Sequence, residues 1–222
     1  MKHACLIPAS LLLLGMTALV AHAEPVAYRM DRNHSSAAFS IRHIFSKVYG
    51  HFREMEGNIQ YDEQNIANSS ADITIKTSSI DTNNENRDKD LRSEHFFNAD
   101  SFPTISFKST KVIPGADKEH FQLVGDLNMR GISRPVTLDV AFLGAGPFGM
   151  DGKSMGKKAG WEAKTTINRK DWGINWNQTL DQGGTLLGDD VAITIAVEAG
   201  WRPPATADAK PAGDAKPAPT KK

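Results

Sequence analysis

From residue 36 onward, apolar and polar positions alternate along most of the chain. Phe39, Ile41 and His43 share one side of a strand-period run, with Ser40 and Arg42 on the other. Residues 48–61 carry Phe52, Met55, Ile59 and Tyr61, and the odd step from 52 to 55 predicts a bulge. Ala71, Ile73 and Ile75 oppose Asp72, Thr74 and Lys76, and Ile105 and Phe107 oppose Ser106 and Lys108. Phe121, Leu123, Leu127 and Met129 make a fifth run, and Val136, Leu138, Val140 and Phe142 a sixth. Trp161, Ala163, Thr165 and Ile167 make a seventh, and Val191, Ile193, Ile195 and Val197 an eighth. Pro114-Gly115, Gly131, the Gly-rich stretch 144–149, Gly152 and Gly183-Gly184 fall between these runs, where turns need positive φ. One stretch departs from the pattern. In residues 80–97, IDTNNENRDKDLRSEHFF, Thr82 and Glu85 have capping-box spacing and predict a short charged helix.

No segment is a crossover helix of the length that parallel strands require, so the sheet is expected to be antiparallel. Eight half-apolar strands suit a closed up-and-down barrel with an apolar inside. A two-sheet sandwich would bury the same faces and leave no cavity. In up-and-down order, the end of the first strand is shared with the helix, residues 131–134 and the long segment 170–188. That end is the elaborated one. Strands of about ten residues, at ~3.3 Å rise and ~40° tilt, give a barrel about 25 Å tall.

The termini read differently. Lys2, the apolar run 11–20 and Ala21-His22-Ala23 have the form of a secretory signal peptide cleaved after Ala23, which points to the periplasm. Cys5, the one cysteine, would leave with it, so the domain 24–201 must be held by its core. Residues 202–222 are mostly Pro, Ala, Lys and Asp, and are expected to be disordered. The chain has 26 basic and 26 acidic residues, and losing Lys2 leaves one acidic residue in excess. That balance argues against nucleic acid, which calls for a basic footprint. It also argues against simple electrostatic adhesion to an anionic membrane.

Several segments together resemble the YceI-like family. They are NHSSAAFSIRH (33–43), SIDTNNENRDKDLRSEHFFNADSFPTISFKST (79–110), GDLNMRGISRPVTLDVAFLG (125–144), TTINRKDWGINW (165–176) and GDDVAITIAVEA (188–199). The resemblance implies a secreted, lipocalin-like, eight-stranded barrel with an apolar tunnel for polyisoprenoid, quinone-type or fatty-chain lipids. It also implies pairing as a homodimer and brings no shared catalytic constellation. The tail and the stretch 144–158 depart from the family pattern.

On this reading the ligand is a long-chain isoprenoid or related lipid, and its expected contacts are Phe39, Ile41, Phe52, Phe107, Leu123, Leu127, Phe142, Trp161, Ile167, Trp172 and Trp176. His43 and Arg169 continue inward-facing runs to the elaborated end, where they are expected to orient a polar head. Arg87, Arg92 and Arg130 could form a phosphate clamp, but pairing with Asp81, Asp88 and Asp90 is the favoured expectation. No catalytic fingerprint, metal-ligand spacing or cofactor motif is read from the sequence. An enzyme acting on a lipid head, with His43 as base, and a ligand-free interaction module are the two alternatives.

Overall fold

The structure, a computed structural model, describes residues 24–201; the expected leader and tail lie outside the described residues. Eleven hydrogen-bonded segments form one sheet and group into eight staves. β1 (Val26–Met30) and β2 (Ser36–His43) make the first stave, and β3 (Ser46–Phe52) and β4 (Met55–Tyr61) the second. β5 (Ser70–Lys76) and β6 (Ile80–Asp81) make the third, and α1 (Glu85–Arg92) follows. β7 (Thr104–Pro114), β8 (His120–Met129), β9 (Ile132–Met150), β10 (Lys153–Asn168) and β11 (Leu187–Trp201) complete the ring.

Every ladder is antiparallel. The ring closes where β11 runs along β2, from Leu187↔His43 to Ala196↔Ser36, and then transfers to β1 at Met30↔Ala199 and Arg29↔Gly200. β1 also pairs with β4, from Val26↔Tyr61 to Arg29↔Asn58. This is the expected eight-stranded antiparallel up-and-down barrel with one short α-helix, and the continuous ring excludes the sandwich.

Three local expectations are corrected. The first stave begins earlier than residue 36, because Tyr28 and Met30 point inward and are buried. The step from 52 to 55 is a break between two ladders and not a bulge. Arg53 and Glu54 leave the sheet, and their N–H groups donate to the Ser79 carbonyl and the Ser79 hydroxyl, each at 3.1 Å. The Gly-rich stretch is not a loop, since β9 runs on to Met150 and turns back through Asp151-Gly152. Both residues have positive φ, 53° and 72°, as a tight hairpin turn requires.

The helix cap is also corrected. Asn84, not Thr82, is the N-cap, and its side chain accepts from the Arg87 N–H at 3.0 Å. Thr82 is tied to the helix in another way. Its N–H and hydroxyl donate to Asp88 Oδ1, at 2.8 and 2.6 Å, and the same hydroxyl accepts from Arg87 Nε at 2.7 Å. The arginines of this region bind carbonyls and not the expected carboxylates. Arg87 reaches the Thr82 carbonyl, Arg92 those of Ser78 and Ile80, and Arg130 those of Glu94 and Phe96. Asp81 pairs instead with Arg53. A helix with almost no apolar face is thus fastened by charged donors bonded to main-chain acceptors.

Two apolar clusters fill the ends of the barrel. One gathers Tyr28, Tyr61, Phe107, Phe121, Leu123 and Trp161 at the end opposite α1. The other gathers Met30, Phe52, Ile80, Phe96, Ile167 and Trp172 beneath α1. At the seam between β1 and β2, Lys158 Nζ lies 2.8 Å from Asp31 Oδ2 and also bonds Glu198, with His34 beside them.

Two predictions follow from these contacts. Thr82→Ala frees buried groups on Asp88 and Arg87, so it should cost roughly 1–3 kcal/mol in denaturant unfolding, whereas Glu85→Ala should have little effect. Equal losses for the two variants would restore the capping box. The Lys158 hydrogen bond, then that of His34, holds the Asp31 carboxyl well below the usual carboxylate range. Its stabilising effect is therefore present above the unfolded value near 4 and lost as pH falls through the lower folded value. Asp31→Asn should lower Tm at pH 7, and its deficit should shrink below about pH 4. A deficit unchanged down to pH 2 would show that the charge is not what Asp31 contributes.

Candidate functional site

Between the two end clusters, the inward side chains of the staves do not fill the barrel. They surround a cavity of about 370 Å³, within the ~300–1,000 Å³ of ligand pockets. Its lining runs from His43, Arg87 and Trp176 at the α1 end to Tyr61, Ser69 and Ser70 at the other. Between these ends the wall is aliphatic and aromatic. Ile41, Ile73, Leu127, Val136, Ile193 and Ile195 all face inward, yet they are only half-buried, because each borders empty space.

Strand periodicity places these residues. Phe39 and Ile41 face in because β2 alternates, and their partners Gly50 and Val48 on β3 face in with them. Gly50 has a spatial reason: a Cβ there would sit 2.4 Å from the Phe39 ring and 2.8 Å from the Thr82 methyl group. The bare glycine thus gives the Phe39 ring its seat.

Opposite α1 the barrel has an aromatic floor. Tyr61 stacks on Phe142 at 5.0 Å and meets Trp161 edge-on at 5.3 Å, and Tyr28 meets Trp161 edge-on at 5.8 Å. Burial among these rings pushes the Tyr61 hydroxyl up to about 12 and raises that of Tyr28. The floor therefore stays neutral across the physiological range.

Of the residues expected from the sequence, Phe39, Ile41, His43, Phe52, Phe107, Leu123, Leu127, Trp161, Ile167, Arg169 and Trp176 line the cavity. Phe142 and Trp172 are not in its wall. Phe142 lies behind Tyr61 and Trp161, and Trp172 is 2 % exposed, with its indole N–H donating to the Leu127 carbonyl at 3.1 Å.

Arg169 lines the cavity but is heavily engaged. Its guanidinium donates to the carbonyls of Gly188 (2.9 Å), Ile174 (2.6 Å) and Trp176 (2.9 Å), and to Asp189 Oδ1 at 3.2 Å. Burial lowers its pKa from the ordinary arginine value, against the pull of Asp189. It folds the segment 170–188 onto the barrel end, and little of it is left to receive a head group. The polar groups nearer the opening are His43, Arg87 and Asp90. Sequence reasoning missed Asp90 and the Ser69–Ser70 end of the wall, since the apolar alternation that marks the lining does not single out polar residues on a helix or at a strand end.

Other chemistry is sparse. The stretch 144–149 spells G-x-G-x-x-G and residues 152–156 spell G-x-S-x-G, which correct the reading that no such pattern occurs. Both lie in the β9–β10 ladder, and neither is at the strand-to-helix turn that gives these patterns their chemistry. Among the described residues, Asp31, His34 and Glu198 are close enough to share a metal ion, but the Lys158 ammonium already bridges the two carboxylates.

The model of the YceI-like domain matches residues 28–199. "Protein YceI" of Shigella flexneri is 37% identical over 173 residues, which cover 76% of this chain and 84% of that protein. A UPF0312 protein of Staphylococcus aureus strain N315 is 38% identical over 172 residues, covering 77% and 95%. The crystal structure of the Campylobacter jejuni YCEI protein superposes with a TM-score of 0.61 at 29% identity, over 73% of this chain and 90% of that one. A Saccharophagus degradans domain described as polyisoprenoid-binding shares the fold at TM-score 0.56 and 12% identity, over 80% and 99%. A barrel of this topology, matched over nearly its whole described length and by relatives of this identity, belongs to the YceI-like family.

Proposed function

We propose that this protein is a non-enzymatic carrier that shields a long-chain isoprenoid, of polyprenyl-phosphate or quinone type, inside the barrel. The observation that carries the reading is the cavity wall: apolar along its length, half-buried, and polar only near its ends. Such a wall offers about 0.8 kcal/mol for each ligand CH₂ it removes from water. It presents no fixed row of donors that would demand a compact polar metabolite. The polyisoprenoid-binding description of the Saccharophagus degradans domain agrees with this chemistry. In this reading the chain lies along the wall and the head rests near His43, Arg87 and Asp90. The leader-like residues 1–23 support a periplasmic site of action. Among the described residues, no helix is long and apolar enough to cross a membrane.

Mass spectrometry of organic extracts from natively purified protein tests the reading directly. A prenyl lipid in stoichiometric amount is expected, and its absence under mild extraction would count against a carrier. Leu127 borders the cavity at its waist, so Leu127→Trp should cut retained lipid severalfold and change the stability of the delipidated protein by less than about 1 kcal/mol. Leu123 is 9 % exposed and packs against the aromatic floor, so Leu123→Ala should cost about 2–4 kcal/mol. Full lipid content in a badly destabilised Leu127→Trp protein would mean that the waist is packed solid.

A further inference from the structure

The second stave is incomplete at the α1 end. β3 pairs with β2 along its whole length, but on its other side only His51 and Phe52 find strand partners, in β6. Among the described residues, no backbone hydrogen bond joins residues 46–50 to α1. The cavity wall crosses this gap, from Val48 on β3 to Arg87 and Leu91 on α1. The gap is framed by a strand edge and the polar helix, and the cavity reaches it.

The hairpin beside the gap has an unusual outer surface. At its tip, Phe45 is fully exposed, although nothing in a two-residue turn calls for an aromatic side chain. Arg42 and Lys47, which pair across the hairpin, are the next outward residues and are both exposed. Tyr49 follows on the same outer face and is 68 % exposed. Arg42 also ties the tip to the neighbouring segment, donating to the carbonyls of Ile44 and Thr185 at 3.2 Å. An aromatic tip, a basic pair and an exposed tyrosine, held on a braced hairpin, match the layers of a bilayer surface: acyl boundary, anionic phosphates and glycerol region.

We propose that the β2–β3 hairpin docks on a phospholipid bilayer containing anionic lipid, with Phe45 entering the interface and Arg42 and Lys47 meeting phosphates. Ligand then passes between bilayer and cavity through the gap beside β3. The inference rests on the carrier reading for its purpose, but the docking surface is tested separately. The overall charge balance, which gives no general attraction to anionic membranes, is compatible with it, because the basic pair is local to the tip.

The full chain is floated with vesicles of phosphatidylglycerol and phosphatidylethanolamine, and with vesicles of phosphatidylcholine alone. Wild type should float with the former, and less so in high salt. Phe45→Ser with Tyr49→Ser should reduce the bound fraction about tenfold or more. Lys47→Gln should weaken the salt dependence. Both side chains lost in the double variant are on the surface, so its Tm and the lipid it retains on purification should match wild type, while its lipid transfer between vesicles slows. Equal flotation of wild type and the double variant would overturn the proposal, as would failure of wild type to float. A dimer converted to monomer by Phe45→Ser, with flotation unchanged, would assign the tip to a second copy and overturn it too. Absence of lipid from wild type would sink the carrier reading, and flotation would still decide the docking surface.

Discussion

Closure of one sheet on itself is the constraint from which the other features follow. The first and last of the eight staves meet through a divided ladder in which β11 hands over from β2 to β1. Closure removes most of the unpaired edge that an open sheet would expose. An eight-stranded circumference can be filled by side chains or can hold one ligand, and here the half-buried aliphatic lining leaves it open. The cavity is thus set by strand number together with the residues around it.

The ends of the barrel resolve the surplus space differently. Opposite α1, Tyr28, Tyr61, Phe142 and Trp161 pack ring against ring and form a floor. At the α1 end Phe52 meets Phe97 edge-on and Phe96 packs against Trp176. Over them the chain lays a helix and the segment 170–188, secured with arginine–carbonyl bonds from Arg87, Arg92, Arg130 and Arg169. Those bonds satisfy acceptors that would otherwise be costly near an apolar interior. They also explain why so polar a helix can serve as a cover. The floor is held by apolar packing and the cover by charge-assisted hydrogen bonds that acid leaves intact.

The YceI-like family assignment and the hollow wall bear on each other. Membership in the family places the barrel among its relatives; the half-buried aliphatic lining says what kind of molecule such a barrel can hold. Gly50 shows how finely the interior is set, since one added methyl group would push the Phe39 ring off its seat. The incomplete second stave lies next to the most exposed aromatic residue of the described chain.

Periodicity was enough to read eight strands and their inward faces; the charged stretch that broke the pattern gave the short helix, and up-and-down order the end of the barrel on which it sits. The reason is that alternation records burial residue by residue, and each stave is apolar on one face only. The motifs at 33–43, 79–110 and 125–144 added the family. Residues whose roles depend on distant backbone groups were not legible in the same way. Thr82 looked like a cap because its spacing to Glu85 is local, whereas its true partners are Asp88 and Arg87. Arg169 looked like a free cation because the carbonyls of Ile174, Trp176 and Gly188 reach it only after the chain has folded back. Phe142 and Trp172 share the apolar character of the lining, and only three-dimensional packing placed one in the outer part of the floor and the other beneath the cover. Alternation tells which side of a sheet a residue faces. Whether that side meets empty space, another ring or a carbonyl oxygen depends on strands far apart in sequence, and the tertiary structure alone decides it.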